Sequence, residues 1–171
     1  INNWPVIGLD TDGDGKGEPV ITYKKPNVGK TYPVETPEES DEFTTPKLGL
    51  QWQWQANPDG TWLMPSQDGK LRLYSQLLTE GSKNLMAVPN ILTQKFPADD
   101  FSATVKIRLC PNEKDLGEKA GFVVVGEDYS QLFIRKDKGS VQLYYGSCSR
   151  AYGGSEESVR PVATLSEDFV Y

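Results

Sequence analysis

The stretch Asp10-Thr-Asp-Gly-Asp-Gly15 sets carboxylates at alternate positions and a glycine at the sixth. A short loop uses that spacing to gather several oxygens around a hard cation such as calcium. Such a loop calls for a bidentate carboxylate at its twelfth position. Ile21 stands there, and Glu18 is only a partial substitute. Asp10, Asp12 and Asp14 are therefore candidate calcium ligands, set against a plain glycine-rich polar turn. A second group can do sugar chemistry. Gln51, Gln53 and Gln55 alternate with Trp52 and Trp54, and amides hydrogen-bond hydroxyls while flat indole rings lie against pyranose faces. Trp62, beside the turn-forming Asn57-Pro-Asp-Gly60, is the tryptophan expected at the surface. Gln51, Gln53, Trp62, Arg135, Gln142 and Tyr144 make up the candidate carbohydrate-binding set.

Other chemistries find less support. The chain has no histidine, which removes Ser-His-Asp and Cys-His catalysis and nearly all zinc or iron sites. A glycosidase needs two carboxyls roughly 5–9.5 Å apart across a cleft. Glu38-Glu39, Asp99-Asp100 and Glu156-Glu157 are instead adjacent in polar segments and read as solvated charge, so no catalytic residue is assigned. Cys110 and Cys148 each stand where a strand-like run ends. They are either a disulfide or two inert thiols, and the spacing leaves both open.

Strands must position these residues. Leu48, Leu50, Trp52 and Trp54 share one parity and the glutamines the other, which predicts a strand over 48–55 with an apolar stripe toward the core. Further strands are expected near Trp62, over 70–75, 91–96 and 102–109, and over 120–126, where Phe122-Val-Val-Val125 reads as buried. Residues 131–136 and 141–146 flank Lys136-Asp-Lys-Gly139 as a hairpin, and 160–165 forms a weaker strand. In the hairpin, Phe133 and Arg135 share a face, as do Gln142 and Tyr144. With Gln51 and Gln53 they would form one polar-aromatic face if their strands belong to one sheet. No segment keeps helical periodicity for three turns. Short antiparallel strands at this spacing predict an all-β, antiparallel β-sandwich.

Hydrophobic residues make up 37% of 171, enough for one domain with a core. Residues 1–37 are rich in proline and glycine and end near the acidic Glu35–Glu42 stretch, so a boundary is expected there, with the sandwich over 38–171. A net charge of −6 without a basic patch argues against nucleic acid. No apolar run approaches the ~20 residues of a membrane-spanning helix, and residues 1–20 lack a targeting pattern, as expected of an excised piece or a mature region.

Asp41-Glu-Phe43, Leu48-Gly-Leu-Gln-Trp-Gln-Trp54, Asn57-Pro58 and Trp62 together resemble the start of the C-terminal concanavalin-like sandwich of glycoside hydrolase family 43. That family includes β-xylosidases and α-L-arabinofuranosidases. Gly69-Lys-Leu-Arg-Leu73, Leu92-Thr-Gln-Lys95 and Lys119-Ala-Gly-Phe-Val-Val124 resemble its later strands. Asn3-Trp-Pro-Val-Ile-Gly8 and Gly15-Lys-Gly-Glu-Pro-Val20 resemble the last strand and exit of the family's catalytic β-propeller. The resemblance implies a concanavalin-like jelly roll, incomplete at its C-terminal end as given, that follows the tail of a catalytic domain over 1–37. It also implies catalytic carboxylates upstream of Ile1, a propeller partner in cis, and a plant cell-wall polysaccharide or oligosaccharide as ligand. The expected location is secreted or periplasmic. The module would be non-catalytic and pack on the propeller, or serve as an independent carbohydrate-binding module.

Overall fold

The computed structural model describes residues 8–25, 27–65, 69–112, 117–137, 140–166 and 169–170. The chain divides into two compact units, Ile1–Thr36 and Pro37–Tyr171. In the first unit, the described residues form one antiparallel bridge, Leu9 to Glu18, which closes the acidic loop between them. Of the segment read as a propeller exit, residues 3–7 lie outside the described residues.

The second unit carries ten strands among its described residues: β1 (Gln53–Trp54), β2 (Leu63–Pro65), β3 (Leu71–Leu73), β4 (Leu92–Thr93), β5 (Ile107–Arg108), β6 (Lys119–Val125), β7 (Tyr129–Asp137), β8 (Ser140–Cys148), β9 (Ser158–Leu165) and β10 (Phe169–Val170). Two short 3-10 turns, η1 (Leu85–Ala87) and η2 (Ala151–Gly153), interrupt them. Strands β6-β7-β8-β9 form one antiparallel meander, while β1-β4, β2-β3 and β5-β10 are antiparallel ribbons. The described residues contain no α-helix, and the all-β, antiparallel expectation holds. The hairpin expected about 136–139 is the β7–β8 pair, in register from Tyr129–Cys148 to Asp137–Ser140. Its residues 138–139, like residues 67–68 of the turn expected at 67–69, are not among those described.

Alternation in the meander separates two faces. Ile134, fully buried, packs with Val141 and Leu109 on one face, helped by Ala120, Leu143 and Leu165. On the other face Tyr129 and Cys148 pack with Leu85 and Ala151, so η1 and η2 close that end of the sheet. Burying a side chain such as Ile134 contributes about 1.5–3 kcal/mol, and the fully buried side chains Phe133 and Ile134 both belong to the meander.

Four strand expectations need correction, the first being 91–96, which pairs only at Leu92–Thr93, with β1. Residues 48–55 do not form one strand: the Trp52 amide donates to the Gly49 carbonyl at 3.2 Å, and only Gln53–Trp54 pair, with β4. A turn resets parity, so Leu50 is fully exposed at 103% and the apolar stripe breaks in two. The buried strand expected over 122–125 is the sheet edge β6, where Phe122 and Val124 are exposed. Residues 102–109 pair only at Ile107–Arg108, through β10.

Candidate functional site

The polar-aromatic face expected from the hairpin forms on the meander. Register sets Phe133 opposite Tyr144 and Arg135 opposite Gln142 across β7 and β8, and Lys119 of β6 opposite Arg135. The Phe133 and Tyr144 rings stack at 5.3 Å, tilted by 14°. The Arg135 guanidinium lies 4.3 Å from the centre of the Tyr144 ring, and the Lys119 ammonium 4.6 Å from that of Phe133. Cations over aromatic faces are attracted by the ring quadrupole. Tyr144 thus spends its ring on neighbours inside the protein.

Two carboxylates hold this face. Asp137 accepts from Arg135 Nε at 2.8 Å and Nη2 at 3.2 Å, and from the Tyr144 hydroxyl. Glu157, just ahead of β9, accepts from Lys119 Nζ at 3.2 Å, from the Tyr129 hydroxyl at 3.0 Å and from the Gln131 amide. Glycines make room for these side chains. A Cβ at Gly121 would collide with the Leu132 carbonyl and with Phe133, and one at Gly146 would come within 3.0 Å of the Glu157 carboxylate.

The Arg135 bonds hold the Asp137 carboxyl below its ordinary pKa, with Tyr144 adding to the effect. The Asp137 bond in turn raises Arg135 and Tyr144. Burial raises the Tyr129 hydroxyl, and the nearby Glu157 charge raises it further. A glycosidase acid needs the opposite tuning, a carboxyl pushed upward and kept protonated near neutrality. What the face can do chemically is hold a rigid, charge-balanced surface in place.

The other candidates fall elsewhere. Gln51 and Gln53 do not join the Arg135–Gln142–Tyr144 face: Gln53 belongs to the separate β1-β4 ribbon, where its carbonyl accepts from Thr93 at 2.9 Å. Gln51 stands two residues before it and reaches Asp41, which also takes the Trp52 indole N–H at 2.8 Å. Trp62, expected at the surface, is buried with 8% exposed, its ring edge-on to Trp54 at 5.5 Å. The turn before it closes through its amide to the Asp59 carbonyl and directs the indole inward rather than out. Cys110 and Cys148 are both free. Cys148 lies in the core beside Tyr129 while Cys110 is exposed beyond β5, so the disulfide does not form.

In the first unit, the carboxylate oxygens of Asp10, Asp12, Asp14 and Glu18 lie within 4.8 Å of one another. All four accept hydrogen bonds from the loop itself: Asp10 from Gly13 and Gly15, Asp12 from Asp14, Asp14 from Lys16, and Glu18 from Thr11. The Thr11 bonds hold the Glu18 carboxyl below its usual range. The loop is closed by its own amides.

Sequence reasoning missed Lys119, Gln131, Asp137 and Glu157. The period-two run Tyr129, Gln131, Phe133, Arg135, Asp137 carries the signal for two of them. Nothing local points from Glu157 to Lys119, 38 residues away.

Residues 40–170 match the family model described as the β-xylosidase C-terminal concanavalin A-like domain. The chain belongs to this family. Its concanavalin A-like domain is a β-sandwich within glycoside hydrolase family 43, in accord with the all-β antiparallel architecture. The chain is 48% identical, over 188 aligned positions, to a protein of Formosa agariphila named β-xylosidase. That alignment covers 99% of this chain and 31% of the relative. A putative β-xylosidase of Xylanibacter ruminicola is 39% identical over 110 positions, 63% of this chain and 20% of that protein. The concanavalin A-like domain and the segment before it thus span less than a third of the length of either relative. No solved structure matches the chain.

Proposed function

We propose that this chain is the non-catalytic accessory module of a family 43 enzyme that degrades xylan, arabinoxylan or arabinan. It packs on the catalytic propeller in cis and shapes the substrate cleft. The observation that carries this reading is the match over residues 40–170 to a C-terminal domain, found in relatives more than three times the length of this chain and named β-xylosidases. The meander face supports it. Asp137 and Glu157 are bound to cations and hydroxyls, and Asp137 is tuned away from general-acid use. A polymeric cell-wall substrate places the enzyme outside the cytoplasm, secreted or periplasmic. Aryl-xyloside and aryl-arabinoside assays test the proposal. The chain alone is expected to give no turnover, and the polypeptide containing the catalytic domain is expected to turn over at least one of the two. Turnover by residues 1–171 alone would overturn it.

A further inference from the structure

Ahead of the family domain, which begins at residue 40, runs a stretch whose composition does not fit a solvated linker. Residues 21–34, Ile-Thr-Tyr-Lys-Lys-Pro-Asn-Val-Gly-Lys-Thr-Tyr-Pro-Val, hold five large apolar or aromatic side chains in fourteen positions. Segments that stay solvated are poor in aromatic and β-branched residues, which gain by leaving water. The next six residues, Glu35-Thr-Pro-Glu-Glu-Ser40, have the linker composition instead, with three carboxylates and no large apolar side chain. The contrast between neighbouring segments marks 21–34 as made for contact.

Every described residue of 21–34 is exposed and lies outside any strand or helix. Ile21 and Val34 are fully exposed, at 106% and 98%, and Tyr23, Val28 and Tyr32 are exposed with them. Among the described residues, no backbone group of this stretch bonds to another backbone group. Its amides and carbonyls are thus free to add to a sheet edge. The spacing suits that use: Ile21 and Tyr23, like Tyr32 and Val34, stand two apart and share a face when the chain is extended. Lys24, Lys25 and Lys30 give the stretch three positive charges and no negative one, inside a chain of net charge −6. Among the described residues none of the three forms an ion pair.

Sequence order points to what covers it. The family domain is a C-terminal one, and 99% of this chain aligns to 31% of a relative. The counterpart of residues 21–34 therefore joins the sandwich to the larger, preceding part of that relative. We propose that residues 21–34 are a strap docked on the catalytic domain in cis. Ile21, Tyr23, Val28, Tyr32 and Val34 pack on an apolar strip of that domain, and the three lysines lie beside its carboxylates. The choice of partner rests on the accessory-module reading above; the composition and exposure of the strap do not.

Limited trypsin digestion tests the strap, with the cuts mapped by mass. Trypsin can cut after Lys24 and Lys30, whereas Lys25 is followed by the resistant Pro26. The chain alone should be cut rapidly at both sites. In the polypeptide containing the catalytic domain both cuts should slow about tenfold or more, because cleavage follows the population of the open segment. Ile21→Ser combined with Tyr23→Ser and Val34→Ser should restore cutting there, with aryl-glycoside turnover showing that the catalytic domain remains folded. Amide exchange over 21–34 makes the same comparison without substitution and should slow likewise. Equal cutting or equal exchange in the two forms would overturn the strap, as would protection that survives the triple substitution. Those outcomes leave the aryl-glycoside result standing, and failure of turnover in the parent polypeptide would sink the hemicellulase reading separately.

Discussion

Asp137 shows how a single residue records its environment. Its carboxyl is held below the ordinary value by Arg135 and Tyr144, so it contributes stability that is complete above the unfolded pKa of about 3.9 and is lost as pH falls through the lower folded value. Asp137→Asn should flatten the acid limb of a stability-versus-pH curve measured by urea unfolding. Tyr129 works at the other end. Its folded pKa is raised, so its stabilisation is intact below about pH 10 and is lost as pH rises above that, because the unfolded chain ionises first. Tyr129→Phe should remove that alkaline loss. The thiols offer a simpler check: native protein should react with a thiol reagent at Cys110 alone, and Cys148 should react only on unfolding. These positions show how far sequence reading reaches. Parity, which is local, grouped Gln142 with Tyr144 and Phe133 with Arg135, and the β7–β8 register then set the two pairs on one face. Trp62 was misread because its position beside a turn says nothing about which way the indole points.

At the scale of elements, the correction over residues 48–55 is the informative case. Periodicity assumes an unbroken strand, and the Gly49–Trp52 turn breaks that assumption. Leu50→Ser should therefore change stability by no more than about 0.5 kcal/mol, as at other exposed sites, whereas Trp62→Ala should cost about 3–5 kcal/mol through the cavity it leaves against Trp54. A continuous strand with Leu50 in the core would reverse the first result. On the meander, Gly121→Ala should cost about 1–3 kcal/mol by overpacking against Phe133. Thermal melts of the three variants separate these outcomes. The β7–β8 hairpin was readable because its strands are chain neighbours joined by a short turn, whereas the β6–β7 and β8–β9 pairings were not part of that reading. The β5–β10 ribbon was not readable, because its partners lie about 60 residues apart and neither strand is long enough to announce a period.

For the molecule as a whole, the sequence by itself determined the class of fold and the family. Alternating short strands, turn residues and the absence of helical periodicity are local properties, and the Leu-Gln-Trp-Gln-Trp cluster is a local signature. Composition alone excluded histidine chemistry. Only the tertiary structure decided which aromatics are open and which carboxylates are spoken for. Trp62 turns inward, Trp52 lies half-buried against Phe43, Tyr144 is stacked, and Tyr152 is exposed. Glu157 reaches Lys119 and Tyr129 across the sheet. Such facts depend on contacts between residues distant along the chain, and local spacing cannot carry them. Burial and charge pairing arise only when the strands are brought together.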